Sequence, residues 1–175
     1  MAEVKWAIGG SKLWIRQAPV ARISLLRVRK PTQALLDSYA AVLGHALPQG
    51  INMAVGIDPR IMSLAPHDWM IVGDAQPPLN TVDTGASLCH AADVTEGRTL
   101  FEIGGGLARS LLAKGTSIDL HPRSFCAGQC AQTLFAQTRL LIECVSDAPL
   151  FNVYADRSYT SHMIDWFEDA IKEFN

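Results

Sequence analysis

The sequence predicts an α+β fold of duplicated strand–helix–strand units with antiparallel sheets. Three observations lead there. Short runs of strand length with alternating or continuous apolar residues recur along the whole chain. Both halves read strand–helix–strand–strand, with extra elements. Those later strands are joined by connections too short for parallel crossovers.

The elements follow in order. Residues 1–20 form an arm or hairpin in which Trp6 and Trp14 flank Gly9-Gly10-Ser11, and Pro19 closes the stretch. Two tryptophans in a terminal segment mark it as a candidate interface anchor. The segment is expected to be removable, as residues 1–16, without unfolding the rest. Residues 21–175 are read as one α+β domain, with 21–86 and 87–175 as candidate subdomains. Ala21 to Val28 is a strand carrying Ile23, Leu25 and Leu26. Pro31 starts a helix at the position where proline is tolerated, and Leu35, Leu36, Tyr39, Val42 and Leu43 carry it to Gly44. Strands follow near Asn52–Ile57, Ile61–Leu64 and Trp69–Val72, the last two joined by Pro66-His67-Asp68. Gln76 to Leu79 reads as a loop and Val82 to Ala86 as a short helix.

The second half opens with a strand at Leu88–Val94 and the turn Thr95-Glu96-Gly97. Thr99 to Ile103 alternate as a strand, Gly104-Gly105-Gly106 turns the chain, and Leu107, Leu111 and Leu112 recur at helical spacing. Lys114-Gly115 reads as a basic last turn ending in a left-handed cap. Ser117 to Ser124 is a loop or helical turn. Cys130–Phe135 and Arg139–Val145 are paired strands around Ala136-Gln137-Thr138, and Leu150–Ala155 is another. A closing helix from about Ser158 to Phe174 places Tyr159, Met163, Phe167, Ala170, Ile171 and Phe174 on one face.

Composition narrows the class. The chain has 175 residues, 18% charged and 49% hydrophobic, with a net charge of -2. So lean a charge content suggests a surface partly covered by something else. The acidic balance gives no electrostatic case for nucleic acid or an anionic membrane. Arg27 to Lys30 reads as a solvated strand end. No stretch is long and apolar enough to span a bilayer, and no hydrophobic core follows Met1-Ala2-Glu3-Val4-Lys5, so a cytoplasmic protein with reduced thiols is expected.

The glycine turn at 104–106 invites a dinucleotide reading, but the third glycine position of that fingerprint holds Arg109. The neighbourhood of the acidic ribose partner reads Arg123-Ser124-Phe125-Cys126, and Lys114-Gly115-Thr116 has the wrong order for a phosphate loop. The turn is a packing device. Cys126 and Cys130, with His121 and His162, supply metal-ligand types without the second close cysteine pair of a zinc site. His162, Asp165 and Asp169 share one face of the last helix, which reads as its solvated side. His67-Asp68, His90 with Asp93, and Asp119 with His121 are isolated pairs, and no activated nucleophile accompanies them. The residues themselves mark no catalytic, cofactor-binding or metal site.

Taken together, Asp93-Val94-Thr95-Glu96-Gly97-Arg98, FEIGGGLARSLLAKG, Ser117 to Phe125 and Val153 to Tyr159 resemble the gamma subunit family of heterotetrameric sarcosine oxidase. The resemblance runs from about Leu64 to the C-terminus. It implies a reduced version of the folate-binding aminomethyltransferase fold. It further implies a noncatalytic structural role in a complex that demethylates sarcosine (N-methylglycine) to glycine, with tetrahydrofolate accepting the methyl carbon. FAD, FMN, NAD, tetrahydrofolate and zinc would then be held by the alpha, beta and delta subunits, with no cofactor in this chain. Trp6, Trp14, Arg123, Arg157 and Tyr159 are the candidate interface residues. The alternatives within the fold are a stand-alone folate-binding protein or an iron–sulfur or tRNA-related factor. Against the iron–sulfur group, Gly128-Gln129 aligns, but Phe125 replaces the signature cysteine and Cys130 the glutamate. Against a full aminomethyltransferase, the length leaves no room for the usual extra C-terminal domain.

Overall fold

The structure, a computed structural model, describes residues 4–74, 76 and 78–174; Met1 to Glu3 and Pro77 of the expected loop lie outside the described residues. Two compact units emerge, one of residues up to 20 with those from 96 onward, the other of residues 21–95. The first opens with β1 (Trp6–Gly9) and β2 (Trp14–Ala18). The second contains β3 (Ile23–Arg29), α1 (Gln33–Leu43), β4 (Ala54–Val55), β5 (Arg60–Ala65), β6 (Asp68–Val72) and β7 (Leu88–Asp93). The chain then returns to the first unit for β8 (Arg98–Gly104), α2 (Ala108–Gly115) and β9 (Gln129–Phe135). β10 (Thr138–Ser146), β11 (Leu150–Asp156) and α3 (Thr160–Ala170) complete it. The sheets run β1-β2-β8-β11-β10-β9 and β4-β5-β6-β3-β7. Each described pairing is antiparallel. The predicted fold class is the observed one.

In the second unit, α1 begins at Gln33, two residues later than Pro31 would set it. Thr32 is the cap, its Oγ1 accepting the Leu35 N–H at 3.2 Å, and Gly44 ends the helix at φ 73°. Leu35, Leu36, Tyr39 and Leu43 pack on Leu26, Val28, Ile61, Trp69 and Ile71. Burial, with Cys89 beside it, pushes the Tyr39 phenol up to about 12. The helix expected at Val82–Ala86 does not form. A 3-10 turn covers Leu79–Thr81 instead, and Asp83 Oδ1 accepts the Gly85 N–H at 2.9 Å. An aspartate bonding its own backbone two residues on favours a turn over a helix. Pairing of β7 with β3 also places residues 88–93 with the preceding unit, whereas the sequence had divided the chain at 86/87.

In the first unit the N-terminal segment is a hairpin, and β2 continues into the sheet by pairing with β8. Leu13 and Ile15 belong to its hydrophobic core, with Ile15 fully buried. The segment is therefore not a removable arm. Its approach depends on glycine. Trp14 lies across Gly104, where any Cβ would strike the indole. Gly105 sits at φ 102° against the Lys12 carbonyl, which accepts the Leu107 N–H at 3.1 Å.

Helices α2 and α3 cover one face of this sheet. Leu111, Leu112, Met163 and Phe167 meet Phe101, Ile103, Ile142, Phe151 and Val153 in one cluster. Phe167 stands edge-on to Phe101 with centroids 5.3 Å apart. The strands β9 and β10 are joined by Ala136-Gln137, both left-handed, with Thr138 already paired to Phe135. That is the backbone of a type I′ hairpin without its usual glycine.

Gly115 corrects the sequence reading. It lies inside α2, not in a left-handed cap, and extended Thr116 (φ -136°) follows. What requires glycine there is the Phe135 ring, whose edge lies 2.5 Å from where a Cβ would be. Arg109, the residue that spoils the dinucleotide fingerprint, fastens the loop after α2. Its guanidinium donates to the carbonyls of Leu120 at 2.5 Å and Phe125 at 2.7 Å, and lies 5.0 Å from the Phe151 ring centroid.

Three outcomes follow from this packing. Gly115→Val should destabilise the chain by about 1–3 kcal/mol through overpacking against Phe135; an unchanged urea midpoint would show that the ring yields freely. Arg109→Met should cost about 1.5–3 kcal/mol and make residues 116–125 the first site of protease cleavage. Uniform cleavage would deny the guanidinium its fastening role. Removal of residues 1–16 should abolish the cooperative thermal transition of the first unit, and a sharp transition in that truncation would count against the hairpin's part in the core.

Candidate functional site

The candidate interface residues are held by different local devices. Trp6 is half-buried. Its indole N–H donates to Glu168 Oε1 at 3.0 Å, and its ring stands edge-on to Phe101 at 6.3 Å. Trp14 is also half-buried, lying over Gly104 with the Arg16 guanidinium 5.4 Å from its centroid. Arg16 in turn pairs with Glu102 on the neighbouring strand. The hairpin thus carries two indoles and a guanidinium, each with one side engaged.

Arg157 and Tyr159 lie in the 3-10 turn Arg157–Tyr159 that leads into α3. Arg157 donates to the Glu96 carbonyl at 3.1 Å and to its carboxylate at 2.5 Å. Both partners are exposed, the glutamate to 92%, so water screens this tie and its contribution is about 0–1 kcal/mol. Tyr159 is 44% exposed. Arg123 is exposed in the loop after α2 and has no ion pair among the described residues. The structure therefore does not gather the five into one patch by direct contact: Trp6 and Trp14 share the hairpin, and Arg157 and Tyr159 share a turn.

The metal-type and acid–base residues have other employment. Among the described residues no group of three His, Cys, Asp or Glu is arranged to hold a metal. Cys130 is buried, Cys126 is half-buried, and neither forms a disulfide. His162 Nε2 lies 2.9 Å from the Ala136 carbonyl, bracing the β9–β10 turn against α3, and Asp169 pairs with Lys172 at 3.2 Å. The hydrogen bond from Ser124, then the backbone N–H of His121, holds the Asp119 carboxyl below the usual range. Asp93 is lowered likewise by the Thr95 hydroxyl and backbone.

Two features escaped the sequence reading. Glu143, 1% exposed, is the buried carboxylate among the described residues; it accepts Asn152 Nδ2 at 3.1 Å and meets the Tyr154 hydroxyl at 3.5 Å. A lone charge inside the run Leu140 to Val145 was the available signal. The other feature is a cavity of about 530 Å³ in the second unit, lined by Arg27, Arg29, Lys30, His67, Asp68, Leu88 and His90 among others. Sheet register assembles it from four strands, and no local motif announces it. Exposed apolar side chains also stand on this unit, Ile57 at 92% and Leu88 at 68%.

Comparison with known proteins gives these surfaces a context. The fold is that of a chain in the heterotetrameric sarcosine oxidase from Corynebacterium sp. U-96, solved in complex with pyrrole 2-carboxylate. The TM-score is 0.85 at 23% identity, over 95% of this chain and 88% of that one. It is also similar to the glycine cleavage system aminomethyltransferase T from Bartonella henselae, at TM-score 0.54 and 18% identity, over 85% of this chain and 46% of that one. In sequence, the chain is 26% identical over 149 residues to a sarcosine oxidase subunit gamma from Arthrobacter sp., covering 82% of this chain and 73% of the relative. It is 25% identical over 145 residues to that of Corynebacterium sp. (strain U-96), covering 79% and 69%. A family model spanning residues 31–173 takes in α1, both glycine-dependent packing sites and α3, and by that match the chain belongs to the sarcosine oxidase gamma subunit family.

Proposed function

We propose that this chain is a noncatalytic structural subunit of a heterotetrameric sarcosine oxidase in the cytoplasm. In that complex sarcosine is demethylated to glycine, and tetrahydrofolate accepts the methyl carbon. The observation that carries the reading is the family match over residues 31–173. FAD, FMN, NAD, tetrahydrofolate and zinc belong, on this reading, to the alpha, beta and delta partners. The chain itself supplies a folded surface.

Its chemistry is consistent with that division of labour. Arg109, Asp93, Asp119 and His162 are engaged in fastening loops and turns. Trp6, Trp14 and Tyr159 keep aromatic surface exposed, and aromatic side chains are favoured at interface centres. Arg123 and Arg157 are exposed, as rim residues of an interface would be. A permanent interface of this kind buries upwards of about 2,000 Å². No helix among the described residues is long and apolar enough to cross a membrane.

Co-expression with candidate alpha, beta and delta chains provides the test. The tagged chain should draw out a yellow assembly that produces peroxide when sarcosine is added, while the isolated chain should be colourless, inactive and indifferent to tetrahydrofolate. Turnover by the isolated chain, or micromolar folate binding to it, would defeat the reading.

A further inference from the structure

The strand β7 forms one end of the five-stranded sheet. Val94 donates its N–H to Ile23 of the neighbouring β3 run at 2.9 Å. Hydrogen bonding alternates along an antiparallel pair, so Leu88, His90 and Ala92 face β3 while Cys89, Ala91 and Asp93 direct their backbone groups outward. No described strand meets that outer side. Four of its six side chains are exposed, and the sequence LCHAAD carries none of the lysines, prolines or glycine bulges that usually blunt an edge.

The cavity of about 530 Å³ adjoins this edge. Leu88 and His90, two residues apart and so on one face of β7, both line it. The rest of its wall comes from the end of β3 and the β5–β6 turn. There Arg27 is paired with Asp68, but Arg29 and Lys30 have no ion pair among the described residues. Two residues of the wall, Lys30 (φ 53°) and His67 (φ 63°), hold left-handed backbone that ordinarily favours glycine or asparagine. His67 is fixed there by its carbonyl, which accepts the Val28 N–H at 3.0 Å. The groove is thus a cationic concavity beside an edge strand.

Resting on the subunit reading above, we infer that β7 receives an extended acidic segment of a partner subunit as an added strand. The segment's backbone bonds the outward groups of Cys89, Ala91 and Asp93. Its side chains at alternate positions face the groove, where carboxylates meet Arg29 and Lys30 and an apolar neighbour covers Leu88. The charge of the groove selects an acidic occupant, and the edge selects an extended one.

The experiment uses the full chain co-expressed with the alpha, beta and delta subunits. Ala91→Pro removes one outward donor while leaving the bonds to β3, since proline is tolerated on an edge strand whose N–H faces away from the sheet. The pair Arg29→Glu and Lys30→Glu reverses the groove's charge without touching the core. Each variant should weaken assembly at least tenfold, salt should weaken the unaltered complex more than the charge-reversed one, and hydrogen exchange across residues 88–93 should slow on assembly. If one variant proves misfolded by circular dichroism, the other decides. Full assembly by the folded variants, with exchange across residues 88–93 unchanged, overturns the inference and leaves the subunit reading standing. Failure of the unaltered chain to assemble overturns both. Slowed exchange in the isolated chain at dimer concentrations would make the occupant a second copy and likewise overturn the inference.

Discussion

Absence of a side chain at Gly104 and Gly105 governs the first unit. The hairpin of residues 6–18 joins a sheet whose next strand arrives some eighty residues later, and it can do so only by lying flat on the end of β8. Trp14 takes the space that a Cβ at Gly104 would need, and the Lys12 carbonyl takes that at Gly105. The same turn starts α2, since Leu107 bonds back to Lys12 and Gly105 to Pro149 at 3.1 Å each. A glycine run that looks like a phosphate cradle is here the place where two distant backbones and an indole converge. Its freedom from side chains serves protein atoms instead of a ligand.

Charged groups in this unit continue that logic. Arg109 replaces water as the partner of two loop carbonyls and stacks on Phe151, so the loop from Thr116 to Phe125 is fastened through one guanidinium. Glu143 is buried with Asn152 and Tyr154 around it, an arrangement that offsets the cost of desolvating a carboxylate. Arg98 with Asp156 ties the start of β8 to the end of β11, and Arg157 with Glu96 ties the turn after β11 to the turn before β8. Polar groups in this unit thus hold loops, strand ends and one another in place.

The second unit is built more simply, one helix on one face of a sheet, and it leaves more open. Its core is anchored by Trp69, buried and bonded through Nε1 to the Pro48 carbonyl at 2.9 Å. Beyond that core it presents Ile57, Leu88 and the unpaired side of β7 to its surroundings. A lone chain would be expected to protect such an edge, and a chain kept in an assembly need not.

Periodicity and turn chemistry made much of this legible in advance. Alternation marked the strands, helical spacing marked α1 and α3, and the blocks from Asp93 to Phe125 and Val153 to Tyr159 carried the family. These signals are local, so they survive in a single sequence. Gly115 was misread because a left-handed cap and a close approach both select glycine, and only Phe135, twenty residues away, distinguishes them. The helix expected at Val82–Ala86 failed because Asp83 bonds its own backbone. Arg109, Glu143 and the cationic groove were invisible for a related reason. Their partners lie on other strands, and the register that brings Arg29 and Lys30 beside His67 and His90 is the sum of many distant pairings. Sequence determined which faces are apolar and where the chain turns; tertiary packing decided which atoms those faces and turns would meet.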